Sequence, residues 1–352
     1  MFLRWIVALV VLLAVTFGGV TVIGNFSGES ANGSWALVTA IGVLAALVAY
    51  ALVEFAQTRK LSSIAAQFDT RTIVLIPFAI AVNIILGQAV ASALKVPIYL
   101  DSIGTILVGA LAGPIPGALT GFLANTLWTY VVPPPFHSDF AAPFAIVAAV
   151  IGLMAGAFGR FGWLRPRLNR SYVELFVAAV VTVLVVGGMS YLAFLGYKAI
   201  IGPAGLEVAS SNGLFVALGW LALALVAVTV VGLVALLFVR RDLTAAYVVV
   251  AGLLTGIICA LISAPISANL FGGVTGAGTD FLVAAFRQAG VDVGAATTGQ
   301  GLISDPIDKI TTFFVVYIVL SAMARSAKAR FPQGERLIDE ATGGGDSQGV
   351  PA

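Results

Sequence analysis

The chain is 352 residues long, 60% hydrophobic and only 10% charged, with a mean hydropathy of +1.07, which excludes an ordinary soluble domain and marks an integral membrane protein. Its net charge of +2 says little by itself, because in a membrane protein the placement of charges carries the information, and no nucleic-acid partner is expected. The single cysteine, Cys259, excludes a disulfide framework or a cysteine metal cluster and reads as a small core residue.

Apolar runs of about twenty residues suit helices crossing a hydrocarbon core of roughly 30 Å, whereas a β-barrel would show short alternating segments. The predicted fold is therefore all-α and polytopic, with about ten transmembrane spans. The run from Met1 to about Ile23 lacks a small-x-small cleavage pattern before the polar Gly24–Ser34 loop, so it reads as a retained first span. A second covers about Trp35–Phe55, and a polar link, Ser62–Arg71, leads to a third at about Thr72–Leu94. The tether Lys95-Val-Pro-Ile-Tyr-Leu-Asp101 follows. Short segments at Ile103–Ala112 and Ile115–Val131 are predicted to be two helices meeting at a Gly-Pro-Ile-Pro-Gly turn, since Pro114 and Pro116 cannot continue a regular helix.

Pro133–Asp139 is a stiff turn containing His137, Ala141–Gly159 is another span, and Arg160–Arg170 is the most basic loop. Apolar runs at about Val173–Tyr197, Gly213–Val239 and Ala245–Ala264 come next. Pro265–Lys309, rich in Gly, Ser, Thr and Asp, reads as a long external segment carrying a short re-entrant or surface helix around Phe281–Phe286. The last span is about Ile310–Met323, and Gln333–Ala352 reads as a disordered tail. The division expected is 1–70 for two additional N-terminal spans and a cytoplasmic link, 71–240 for a membrane core, 241–332 for C-terminal spans with the external loop, and 333–352 for the tail.

With the N-terminus in the cytoplasm, alternation puts all but Lys95, Lys198, Arg287 and Lys309 of the 18 basic residues on the inner side. That satisfies the positive-inside rule and predicts a plasma-membrane protein with both termini cytoplasmic. The tether, the His137 turn and residues 265–309 then face outward and suggest a binding vestibule. There is no nucleotide-hydrolysing P-loop, no catalytic set and no metal-ligand spacing around the lone His137, so neither an enzyme nor a bound cofactor is expected. Acids at the membrane midplane are not expected either, which counts against an ion-coupled transporter.

Small residues at Ala79, Asn83, Gly87 and Ala91 fall four apart and stack into one narrow column, suited either to internal packing or to a partner helix. Asn83 and Asn125 are amides in apolar spans, and each either caps a neighbouring helix or contacts a polar ligand. Tyr99, Asp101, Asn125 and Trp128 offer two rings, a carboxylate and an amide at one level of the outer side, suited to a flat, polar heterocycle. Asp101 has a second reading as a helix cap, and Trp128 as an interfacial belt aromatic. Asp280, Asp305 and Arg287 are candidates for closing over the ligand, or solvated loop charges, and His137 is either a solvent-facing loop histidine or a ligand contact.

The stretch Pro97-Ile-Tyr-Leu-Asp-Ser-Ile-Gly-Thr-Ile-Leu-Val-Gly-Ala-Leu-Ala-Gly-Pro-Ile-Pro-Gly-Ala-Leu-Thr-Gly-Phe-Leu-Ala-Asn125, preceded by the small-residue helix, resembles the substrate-binding S component of energy-coupling factor (ECF) transporters. The resemblance covers about residues 72–165. It implies capture of a vitamin-like molecule near the outer surface, with Lys95–Asp101 as a lid. It also implies that Ala79, Gly87 and Ala91, in the column with Asn83, dock on a transmembrane coupling subunit that works with two ABC-type ATPases. Three features depart from that pattern: Asn83 and Gly87 interrupt an alanine-rich motif, two spans precede the match, and Leu261–Lys309 has no counterpart in small members. The alternatives are an ion-coupled secondary transporter and a membrane sensor or scaffold.

Overall fold

The computed structural model describes residues 2–23, 31–88, 99–134, 136–188, 191 and 228–338, whose regular elements are all helices, with no strand among them. In chain order the helices are α1 (Phe2–Ile23), α2 (Ala31–Thr58), the single turn α3 (Ser62–Ala65), α4 (Thr70–Gln88), α5 (Ile103–Ala112) and α6 (Pro114–Tyr130). A 3₁₀ turn (Ala142–Phe144) leads into α7 (Ala145–Arg160), and α8 (Tyr172–Thr182) runs on into a π-helical turn, Val183–Gly187. After α9 (Val228–Val239) come α10 (Thr244–Phe271), α11 (Asp280–Gln288), α12 (Val293–Ala322), the turn α13 (Arg325–Lys328) and a 3₁₀ turn, Gly334–Leu337.

Four stretches are long and apolar enough to cross a membrane: Ile41–Thr58, Thr70–Gln88, Ala142–Arg160 and Thr244–Phe271. Shorter apolar helices occur at Ile6–Gly19, Ile103–Ala112, Tyr172–Gly187 and Val228–Val239. The chain is thus an all-helical protein with the character of a membrane protein, but about ten full-length spans are not found among the described residues. Much of the expected runs Val173–Tyr197 and Gly213–Val239 lies outside them.

Helix α5 is the axis of the bundle, packed by α4, α6, α7 and α12. It ends where the sequence predicts, at Gly113, whose φ of +129° is open to glycine and strained for other residues. Pro114 then opens α6 at a position where its missing N–H costs nothing. Close backbone approach does the packing. A Cβ on Gly152 of α7 would collide with the Gly117 carbonyl, and one on Gly104 of α5 with the carbonyl of Ala79 on α4. Without water to drive helices together, such contact surfaces are a main source of association in lipid. The opposite face of α4 turns Ile73, Val74, Phe78 and Ile85 outward, as a lipid-facing surface should.

Two expectations about the C-terminal part are corrected. Residues 265–309 are not an external loop: α10 continues through Pro265 to Phe271, and α12 begins at Val293 and continues through Pro306, so irregular backbone is confined to two short turns around α11. The two long helices lie tightly together, Gly252 against Ile310 and Gly256 against Pro306. Nor is 333 the start of a loose tail, because the Gln333 N–H donates to the Leu111 carbonyl at 2.8 Å and Leu337 is buried; residues 339–352 lie outside the described part.

The basic loops converge on this end of the bundle. Arg336 donates to the Arg160 carbonyl at 2.7 Å, Arg241 to that of Arg170 at 2.6 Å, and the Arg167 guanidinium lies 3.8 Å from the Tyr247 ring centre. Buried Asp242 ties the cluster to the bundle through the Arg167 N–H and the Tyr317 hydroxyl. At the other end of α5, α6 and α7 the bundle opens.

Candidate small-molecule site

The start of α5 is set by its neighbour. Ser102, at the N-cap, makes no side-chain cap; instead Asn83 reaches across from α4, its Oδ1 accepting from the Gly104 N–H at 2.7 Å and its Nδ2 donating to Thr105 Oγ1 at 2.8 Å. One amide from another helix thereby satisfies an orphan donor of the first turn. One turn further along α4, Gly87 lies under the Trp128 ring and Asp101, where an added Cβ would come within 2.5 Å of the indole. Ala79, Asn83 and Gly87 are therefore buried inside the bundle, and the expected docking column is an internal seam; Ala91 lies outside the described residues.

The tether is pinned from the far side of the bundle. Asp308 Oδ1 on α12 accepts the backbone N–H groups of Tyr99 and Leu100 at 2.9 and 3.0 Å, and holds Leu100 at a positive φ of 51°. The Tyr99 hydroxyl pairs with Thr279 at 2.7 Å. The other Asp308 oxygen meets Lys309 Nζ at 2.6 Å, which also donates to Ser102 at 3.1 Å and lies 3.9 Å from Asp101. Residues 99–100 are described and held in this way; Lys95–Ile98 lie outside the described part.

These charges do not lie in an external loop, as expected, but inside the helical bundle. Asp305, Asp308 and Lys309 are 6%, 0% and 4% exposed, near the middle of a 30-residue helix. Lys309, expected on the outer side, is an interior ion-pair partner. Buried ions survive when paired and hydrogen-bonded, and Asp308 with Lys309 meets that condition. Asp305 meets it less well: among the described residues it accepts only from the hydroxyls of Ser263 and Ser304, both at 3.3 Å, longer than the usual 2.5–2.7 Å of a hydroxyl on a carboxylate.

Between these elements lies a cavity of about 300 Å³, bordered by Tyr99, Asp101, Asn125, Trp128, His137 and Asp305 among others. Six of the seven substrate-site candidates named from sequence thus share one space. The seventh, Asp280, does not border it but builds its edge, its carboxylate accepting from the N–H groups of Thr275 and Gly276 at 2.8–3.1 Å. Arg287 is exposed and donates to the Val291 carbonyl, so it takes no part. Asp101 does not act as a cap. Trp128 is a buried wall residue and not a belt aromatic, its indole N–H held by the Phe136 carbonyl at 2.7 Å.

Asn125 and Ser267 border the cavity as well and are 6% and 7% exposed, yet neither side chain has a hydrogen-bond partner among the described residues. Both side chains therefore present their polar atoms to the cavity, where a ligand or water can meet them. Phe140 and Phe144, both packed on Phe271, supply apolar wall. At the mouth, His137 Nδ1 faces the Val132 carbonyl at 3.1 Å and Nε2 faces Asp139 at 2.8 Å.

Sequence reasoning missed Ser263, Ser267, Gln300 and Ser304, which border or support the cavity, together with Asp308 and Lys309. Their signal is a spacing of four, Ser263–Ser267 on α10 and Gln300–Ser304–Asp308 on α12, hidden by the loop-like composition of the stretch. Among the described residues no three His, Cys, Asp or Glu side chains are grouped to hold a metal. The chain matches no protein-family model, no curated protein and no solved structure, so the chemistry of this cavity and the local resemblance at residues 72–165 carry the functional reading.

Proposed function

We propose that the chain is a substrate-capture subunit of an ATP-driven importer, taking a small polar molecule into this cavity near the outer membrane face. One observation carries it: a half-open space of about 300 Å³ collects Asn125 and Ser267, which have no partner among the described residues, and weakly satisfied Asp305 from three helices under an aromatic wall. That is at the small end of the size range of ligand pockets, and the mix of apolar surface with a few placed polar groups is typical of them. The resemblance of residues 72–165 to ECF S components supports the uptake class. On this reading a separate coupling subunit and two ATPases supply the energy, both termini are cytoplasmic, and the cluster of basic loops faces inward.

The test is mass spectrometry of small molecules released from the purified protein, repeated with Asp101→Asn and Asn125→Ala. Both variants should lose the co-purified molecule while unfolding at the wild-type temperature; unchanged recovery from both would remove the cavity as the capture site. Labelling of Ser138→Cys in intact cells checks orientation, since reaction only after permeabilisation would reverse it.

A second reading is favoured by one finding, the buried Asp305, Asp308 and Lys309 group around Pro306 of α12. Ionisable groups held in the interior of a helical membrane protein are a common means of coupling an ion to a substrate. Uptake into vesicles containing this chain alone, driven by a proton or sodium gradient, would select an ion-coupled transporter; uptake that needs added ATPase and coupling subunits would select the importer.

A further inference from the structure

The charge balance of the cavity narrows its ligand. Three carboxylates, Asp101, Asp305 and Asp308, share a single ammonium, Lys309, and that ammonium is already engaged by Asp308 at 2.6 Å and by Ser102 at 3.1 Å. The rim pair His137–Asp139 is matched within itself. An anionic ligand would meet two carboxylates with no free cation among the described lining residues to receive it. A neutral one would leave Asp305 with two long hydroxyl contacts. Asn125 and Ser267 add acceptor oxygens without partners among the described residues, and the negative faces of aromatic rings also favour positive charge.

Resting on the capture reading, we propose that the cavity takes a small organic cation with a flat apolar body, a protonated or quaternary nitrogen heterocycle whose charge lies against Asp305 and Asp101. The body faces Phe140, Phe144 and Val147, while the Asn125 amide marks a polar edge of the ring. A bare inorganic ion fits less well. It needs several oxygen ligands at short range, whereas no metal-holding group of acids is present among the described residues and much of the lining is hydrocarbon.

Calorimetry on the full chain in lipid nanodiscs, using three probes of one shape, decides the matter: N-methylquinolinium as cation, quinoline N-oxide as neutral, and quinoline-3-carboxylate as anion. The cation should bind at least about tenfold more tightly than the N-oxide, the lower end of what a charge-assisted contact contributes. Asp305→Asn should erase that advantage, weakening cation binding by about tenfold more than N-oxide binding. Asp101→Asn serves as the second variant should Asp305→Asn fail to fold, and should reduce the advantage in the same direction.

Equal affinity for cation and N-oxide, or tighter binding of the carboxylate, overturns the charge assignment; if Asn125→Ala abolishes that binding, the capture reading stands without it. Displacement of N-methylquinolinium by sodium chloride but not by N-methylglucamine chloride identifies an inorganic-ion site and likewise overturns the proposal. Failure of all three probes to bind at millimolar concentration overturns both the cation assignment and the capture reading.

Discussion

Asn83, in the seam between α4 and α5, engages both ends of its amide with protein partners at 2.7 and 2.8 Å, whereas Asn125 on α6 is also buried but has none among the described residues and borders the cavity. Each sits in a column of small residues spaced by four, so the local pattern is the same. The facing element separates them. Asn83 meets Gly104, where the lack of a Cβ lets the α4 and α5 backbones touch and places an orphan N–H within reach. Asn125 meets the cavity that residues of α6, α7, α10 and α12 line. A closed seam along α5 and an open cavity at its N-cap therefore adjoin each other.

The seam breaks first. Gly104→Leu drives a side chain into the Ala79 backbone, where no rotamer change relieves the overlap, and should cost roughly 3 kcal/mol or more, the top of the usual range for an overpacked core. Little folded protein should be recovered; a monodisperse variant with near-wild-type thermal stability would show that α4 and α5 are not in contact there. Next comes Asn83→Ala, which strands the Gly104 N–H and removes the donor to Thr105. At about 1–3 kcal/mol for a buried group left unsatisfied, it should lower the unfolding temperature clearly, with ligand loss following from disorder at Asp101.

Much of this architecture is legible in the amino-acid sequence. Pro114 and Pro116 between two apolar stretches announce the Gly113 hinge, and the four-residue steps of Ala79, Asn83 and Gly87 announce a close helix contact, though not which neighbour makes it. That choice depends on the facing surface, which one helix's sequence does not contain. Tyr99, Asp101, Asn125, Trp128 and His137 reach one cavity because polar and aromatic residues near helix ends have few other places to go in a membrane, whereas Asp305 reaches it from the middle of α12.

The α10–α12 hairpin is not legible there, for a physical reason. Its Gly252, Gly256 and Gly301 allow close approach, and its Ser and Thr hydroxyls bond back to carbonyls four residues earlier, as Thr311 does to Ile307 at 2.8 Å. Those same residue types elsewhere make turns, so composition points to a loop. The interior ion pair goes unseen with it.

The cavity side should respond in the opposite way. Asn125→Ala removes an amide that has no partner among the described residues, so stability should stay within about 0.5 kcal/mol of wild type, while recovery of the co-purified molecule falls by roughly threefold to tenfold, the worth of a lost hydrogen bond. If Asn125→Ala instead melts as early as Asn83→Ala, the amide is structural and the contrast between the two sites disappears.

The smallest effect concerns the mouth. His137 is the only histidine in the chain, so its imidazole gives a single resonance by NMR. Its two ring nitrogens both face acceptors, and both bonds form only when both nitrogens carry hydrogen, that is, in the cation. Asp139 first, and then the Val132 carbonyl, hold its pKa above the ordinary value of about 6.5. Because the folded value is the higher one, the ring's contribution to fastening the 131–140 turn is fully present below the ordinary value and is lost as pH rises through the raised one. The resonance should therefore titrate above that of a model peptide, and Asp139→Asn should bring it back down. Titration at or below the model-peptide value would mean that the ring is not held between Val132 and Asp139, and that this edge of the cavity is not fastened by its only histidine.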